Sequence, residues 1–274
     1  MSESVRALVL GGGGVAGIAW ETGVLAALAD GGVDVTGADR IIGTSAGSTV
    51  AAQITSGLPL PDLLARQADP ALQTPELPSG VPMDELWAML LQINEGPLDP
   101  VVKRREVGAM ALAASTVSEA RRRAVIEARL PVHEWPARDL VIVAVDARTG
   151  EPRLFGPGSG VGLVDAVAAS CAVPGVWPCV TIDGARYMDG GVRTSTNADL
   201  AAGFDRVLVL APMPELGEPS WTRLKGTVEV IEPDAVSLGA FGDNPLAPEV
   251  RTPSAEAGYA QGRAAAARVA RMWH

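Results

Sequence analysis

Arg40-Ile41-Ile42-Gly43-Thr44-Ser45-Ala46-Gly47-Ser48 joins a short apolar run to a Gly-x-Ser-x-Gly pattern, and a helix-like run from Thr49 to Ser56 follows. A strand that ends in a sharp turn and reopens as a helix is the sequence form of a nucleophile elbow. Gly43 and Gly47 have no Cβ, so the strand and the helix can approach closely around a strained turn. The Ser45 hydroxyl then stands at the turn. The Ala46 amide faces the same space, where the helix dipole favours developing negative charge. With 31 glycines and 14 serines in 274 residues, the five-residue pattern recurs by chance about 0.2 times per chain of this length. A tight turn with a capping serine would read the same way, so other parts of the chain must decide.

The element before it repeats the plan. Arg6-Ala7-Leu8-Val9-Leu10 is a short buried-strand run, Gly11 to Gly17 is glycine-rich, and Ile18, Thr22, Leu25, Leu28 and Ala29 share one helical face until Gly31-Gly32. Consecutive glycine amides can aim N–H groups at an anion without side-chain interference. That anion is either a diphosphate or an oxyanion. Gly12-x-Gly14-x-x-Gly17 fits a dinucleotide fingerprint, with Asp34 or Asp39 as the ribose acid. However, the next strand should end at that acid, and here Arg40 to Ile42 begins after Asp39. A glycine loop after one strand and an exposed serine after the next suits acyl transfer better. The loop supplies donors to a tetrahedral oxyanion and Ser45 supplies the attack.

Further along, 58–138 reads as a helical excursion covering one edge of a sheet, with helical fragments around Asp84 to Leu91 and two helices in Val101 to Leu130. Arg121-Arg122-Arg123 in the second of these reads as a solvated face, the alternative being contact with lipid head groups. Leu140 to Asp146 is nearly all apolar and predicts a central parallel strand. Val161 to Cys171 predicts a helix. Val180 to Ile182 and Arg186 to Met188, joined by Asp183-Gly184, predict a hairpin that delivers Asp189-Gly190-Gly191. Val207 to Leu210 and Val228 to Ile231 are further strands, and Ser254 to Trp273 is an alanine-rich terminal helix.

Ser45 needs a base. The chain has two histidines. His133 lies between Pro131 and Pro136 in a loop, and His274 is the last residue, so both read as bystanders. Asp189, which follows a strand directly, is the best-placed alternative. A carboxylate of ordinary acidity is a weak base for an alcohol, and an apolar pocket that raises its pKa would make it serviceable.

The composition limits the partners. The formal charge of −10 gives no basic field for nucleic acid and no general attraction to an anionic membrane. Hydrophobic residues at 47% support a large core, built from Ala, Val, Leu and Ile because aromatics are only 4%. Cys171 and Cys179 make neither a disulfide framework nor a metal site by spacing. With no signal core and no membrane-length apolar run, we expect a cytoplasmic protein, with peripheral membrane contact left open and the oligomeric state undetermined.

Gly12-Gly13-Gly14-Val15-Ala16-Gly17, Gly43-Thr44-Ser45-Ala46-Gly47 and Asp189-Gly190-Gly191, in this order, resemble the patatin-like phospholipase family, and Ala169 to Val176 resembles the segment that precedes the catalytic aspartate there. The resemblance spans roughly 6–210. It implies a three-layer α/β/α fold with a mostly parallel central sheet, 1–274 forming one domain that contains the excursion. It implies a catalytic dyad of Ser45 and Asp189, an oxyanion site from Gly12, Gly13, Gly14, Val15 and Ala46, and hydrolysis of lipid or small acyl esters with neither metal nor cofactor. Where the family's loop usually carries Arg or Lys before its last glycine, this chain has Ala16. The backbone donors do not depend on that cation, but the handling of anionic phospholipids would. Three other readings compete: an α/β-hydrolase triad of Ser45, Asp189 and His274, a dinucleotide-dependent oxidoreductase, and a lipid-binding or regulatory relative without catalysis.

Overall fold

A computed structural model describes residues 4–95 and 97–274. In chain order the first elements are β1 (Arg6–Leu10), α1 (Gly14–Asp30), β2 (Arg40–Thr44), α2 (Ala46–Ile54) and α3 (Leu60–Ala68). The helices α4 (Met83–Glu95), α5 (Pro100–Ala113) and α6 (Glu119–Arg129) follow. Next come β3 (Asp139–Asp146), β4 (Pro152–Phe155), α7 (Leu163–Ser170), β5 (Val180–Ile182) and β6 (Ala185–Asp189). β7 (Arg206–Leu210), β8 (Thr227–Ile231), α8 (Ala235–Phe241) and α9 (Arg251–Trp273) complete the chain.

Among the described residues eight strands join one sheet, whose hydrogen-bonded path runs β5-β6-β3-β2-β1-β7-β8, with β4 also pairing β3. From β3 through β8 the pairs are parallel. The strand read as central and parallel is parallel on one part only, because β4 and β6 both run antiparallel to it. β4 escapes the sequence reading. It starts at a proline, leaves Pro152, Arg153 and Leu154 exposed and buries only Phe155, as edge strands do.

Alternate residues of the strands feed two cores, which is why the strands read as unbroken apolar runs. Leu8, Leu10, Ile41, Leu140 and Ile142 face the larger core with α1, α2, α7 and α9. Ala7, Val9, Ile42, Val143, Val207 and Val209 face a smaller one. The layer over this second face is thin: short 3-10 turns at Ala198–Ala201 and Ser220–Arg223 bring Leu200, Phe204, Trp221 and Leu224 onto it. α1 is buried nearly all round, Val15 to Leu28, because the sheet covers one side and α9 the other. Gly258 makes that contact close, since a Cβ there would stand 2.3 Å from the Trp20 carbonyl oxygen.

At the two ends of the excursion α3 packs on α1 and α9, and α6 packs on α7. Among the described residues no helix is long and apolar enough to cross a membrane.

β3 sets the geometry of the site. Ile142 and Val143 pair with both β2 and β4, and Ala144 and Val145 pair with both β4 and β6. A strand has two edges, so β4 occupies one, and β2 and β6 share the other. On that shared edge Thr44, the last residue of β2, partners Val143, and Asp189, the last residue of β6, partners Ala144. Two strands running in opposite directions therefore end head to head, one residue before Ser45 and at Asp189.

Candidate active site

Ser45 sits between β2 and α2 with φ 52° and ψ −116°, a conformation that side-chain-bearing residues rarely adopt and that costs of order 1–3 kcal/mol. The tightness of the turn follows from the two glycines singled out in the sequence. A Cβ on Gly47 would lie 2.1 Å from the Leu10 carbonyl oxygen, and one on Gly43 would lie 2.6 Å from Ser48 Cα. The turn is held from outside as well. The Ser45 amide donates to Ser170 Oγ at 2.9 Å, and Ser170 Oγ donates to the Val143 carbonyl at 2.6 Å. Cys171 Sγ donates to the Ser45 carbonyl at 3.1 Å.

The Ser45 hydroxyl donates to Asp189 Oδ2 at 2.6 Å. Both residues are buried, 7% and 5% exposed, although 144 positions separate them. The Asp189 Oδ1 atom accepts the Gly191 amide at 2.7 Å. Burial pushes the Asp189 carboxyl up to about 6, against smaller lowering by the Ser45 hydroxyl and the Gly191 amide. It thus has the raised basicity that an alcohol's proton requires.

The glycine loop lies beside Ser45: a Cβ on Gly12 would be 3.5 Å from Ser45 Cβ. Its amides are not equivalent. Gly12 donates to the Ser195 carbonyl at 2.7 Å, and Ala16 donates to the Pro245 carbonyl at 2.9 Å. The sequence reading that counted Gly12 among the oxyanion donors is therefore corrected, since that amide is already engaged. Gly13, Gly14, Val15 and Ala46 make no backbone hydrogen bond as donors within the described residues, as expected of amides at helix N-termini. Gly14, Val15, Ser45 and Ala46 line one narrow cavity. Beneath the loop, Glu21 Oε1 accepts the Gly11 amide at 2.8 Å in full burial, and that burial raises its pKa well above the usual carboxylate range.

The alternatives separate on geometry. His274 follows Trp273, whose carbonyl accepts from Arg206 at the start of β7. Ser45 stands at the opposite, C-terminal edge of the same sheet, on the order of 15 Å away by strand length, so His274 completes no triad. His133 is exposed and bonded to the Glu127 carbonyl. Asp39 accepts the Arg6 amide at the start of β1 and Asp34 accepts from Thr36, so neither stands at the glycine loop as a ribose acid. Among the described residues no group of three His, Cys, Asp or Glu side chains is placed to hold a metal ion.

The remaining wall of the cavity includes Glu76, Arg129 and Trp177, which the sequence reading misses, Arg122, which it misplaces, and Cys171 of the run before the aspartate. Arg122 is not on a solvated face. It is 5% exposed, stacks over the Trp177 ring at 3.9 Å and donates to Glu76 Oε1 at 2.6 Å. Arg129, equally buried, pairs with the other Glu76 oxygen. Desolvation lowers both guanidinium groups to about 10, so both stay charged at neutral pH. A signal for this was present: Arg122 and Arg129 share a helical face with Ile126, which is fully buried.

A parallel-rich sheet flanked by helices, with a strained serine at a strand–helix turn hydrogen-bonded to a buried aspartate, defines a mixed α/β protein with its candidate site at the end of the second strand. The profile of the family described as patatin-like phospholipase matches residues 8–202, and the chain belongs to that family. No curated protein matches it. Among solved structures, VipD from Legionella pneumophila superposes with TM-score 0.50 at 15% identity, covering 97% of this chain and 67% of that one, which shows a shared fold. The type III effector protein ExoU aligns at TM-score 0.42 and 15% identity, over 97% of this chain and 53% of its own.

Proposed function

We propose that the protein is a serine acyl hydrolase that cleaves carboxylic esters of lipids through Ser45 and Asp189. The observation that carries this reading is the 2.6 Å hydrogen bond from the Ser45 hydroxyl to a buried carboxylate of raised pKa. Family membership supports lipid esters as the substrate class.

In the proposed reaction Ser45 Oγ attacks the acyl carbon as its proton passes to Asp189 Oδ2. The carbonyl oxygen becomes an oxyanion, stabilised by backbone amides from among Gly13, Gly14, Val15 and Ala46. Collapse breaks the ester bond, and the leaving alcohol takes the proton from Asp189. Water then attacks the acyl-serine with Asp189 again as base, releasing the carboxylic acid and regenerating the Ser45 hydroxyl. Proton balance closes without a third residue.

A fluorophosphonate probe is expected to label Ser45, and Ser45→Ala and Asp189→Asn are each expected to abolish turnover of short- and long-chain esters while the protein stays folded. Undiminished hydrolysis in either variant rejects the dyad.

A further inference from the structure

The residues lining the cavity beside Ser45 include two arginines and one carboxylate, with Asp189 as a second carboxylate bonded to Ser45 itself. Arg122 and Arg129 are both more than nine-tenths buried, and Glu76 is the single carboxylate between them. A second cavity shares Val15, Ile18 and Arg129 with the first and adds Arg66 and Arg251. Around the two cavities stand four arginines and one glutamate, in a chain whose formal charge is −10. Burying guanidinium groups is expensive unless every donor is met. Here Arg122 Nε and Arg129 Nε have no hydrogen-bond partner within the described residues. The triad therefore keeps a net positive charge and two unmet donors at the cavity.

The carboxylate that does meet them comes from a different part of the chain. Arg122 and Arg129 project from α6, and Gln53 Nε2 fixes the end of that helix by donating to the Arg129 carbonyl at 3.0 Å. Glu76 lies in the irregular segment between α3 and α4. Its Oε1 atom accepts its neighbour Leu77's amide and Arg122 Nη1, both at 2.6 Å. The guanidinium pair is carried on a helix, and the acid between them on a loop.

We propose that Arg122 and Arg129 form an oxyanion-binding subsite of the Ser45 cavity, for the carboxylate or phosphate of an anionic acyl ester, and that Glu76 fills this subsite in the resting protein until the substrate's own anion displaces it. This rests on the reading of Ser45 as the nucleophile. The planar donor forks suit carboxylate and phosphate alike. Because Glu76 competes with the ligand, anionic esters gain only the difference between the two anions, which makes the loop acid a control on selectivity.

The test compares 4-nitrophenyl butyrate, a neutral ester, with mono-4-nitrophenyl glutarate, which carries a carboxylate, and follows the ratio of their kcat/KM values. Glu76→Gln is expected to raise the anionic-to-neutral ratio at least fivefold, and Arg122→Gln or Arg129→Gln to lower it at least tenfold. Ratios within twofold of the parent protein in the variants that fold overturn the proposal. Because a buried arginine variant can fail to fold, Glu76→Gln is also melted in inorganic phosphate against chloride at equal ionic strength. Phosphate should raise its Tm by several degrees more than that of the parent, and an equal response overturns the subsite. A phosphate response with no change in the ester ratio assigns the pair to a free anion and overturns the substrate-borne reading. If no ester is cleaved by the parent protein, the nucleophile reading fails by itself, and the melting comparison still decides whether the pair binds an anion.

Discussion

At the N-terminal edge of the parallel strands Arg40 and Asp139 pair at 2.8 Å with side chains 35% and 45% exposed. Nearby, Asp39 accepts the Arg6 amide and Arg206 donates to the chain's penultimate carbonyl. At the C-terminal edge of the same sheet Glu21, Asp189, Glu76, Arg122 and Arg129 are all withdrawn from water. One edge ties elements together with solvated pairs, which contribute about 0–1 kcal/mol each. The other holds charge where the dielectric is low, which destabilises the fold but strengthens every interaction with a developing charge. The two edges are made from the same strands, so the fold does not dictate the difference. It comes from what the helices and loops after each strand bring over the ends.

The contrast can be tested from its largest consequence downward. Asp189→Asn should lower kcat/KM for ester hydrolysis by about a thousandfold or more, read in a steady-state assay. A residual rate near that of the parent protein would mean that burial at this edge serves packing alone. Gly47→Val should destabilise by about 3 kcal/mol or more, because the new side chain meets the Leu10 carbonyl 2.1 Å from its own Cβ; urea unfolding measures it, and a loss below about 1 kcal/mol would show that the turn can open.

Next in size is pH. The fold favours the protonated Asp189, whose carboxyl is raised to about 6. Its contribution to stability is therefore full below the ordinary value near 4 and is lost as pH rises through about 6. Asp189→Asn should match the parent's stability near pH 4 and exceed it at pH 8 by up to about 3 kcal/mol. Activity should follow the opposite trend, since the base must be ionised: kcat/KM rises through about pH 6 and levels off above it. A flat profile between pH 5 and 7 would remove Asp189 as the base. The smallest effect belongs to the other edge, where Asp139→Ala should change unfolding free energy by less than about 1 kcal/mol and leave hydrolysis unaltered.

How much of this could be read beforehand depends on what kind of contact carries the feature. Ser45 and Asp189 were legible because backbone constraints leave marks: close approach demands glycine at 43 and 47, and an Asp-Gly turn announces the hairpin that ends at 189. The register that brings β2 and β6 together on β3 left no mark of its own, as strand pairing depends on partners distant in sequence. The engagement of the Gly12 amide was hidden for the same reason, since its acceptor belongs to Ser195. Three adjacent arginines look like a surface, so the sequence reading places Arg122 in solvent, whereas its helical spacing with Ile126 puts it inside. Glu76 had no periodic neighbour to betray it, lying in a stretch without regular structure. Ala16, buried in the first turn of α1, leaves the loop without a cation, and the guanidinium groups at this cavity come instead from α6.

The abutment of β2 and β6 makes β3 a ruler. The alcohol and the acid are spaced by consecutive rungs, Val143 and Ala144, so their separation is graduated in steps of about 3.3 Å. A single residue inserted between those rungs would slide one mark past the other and part the two groups, though each turn would keep its own shape. A change of strand length at that point would act on the spacing itself, which a change in the shape of either turn would not.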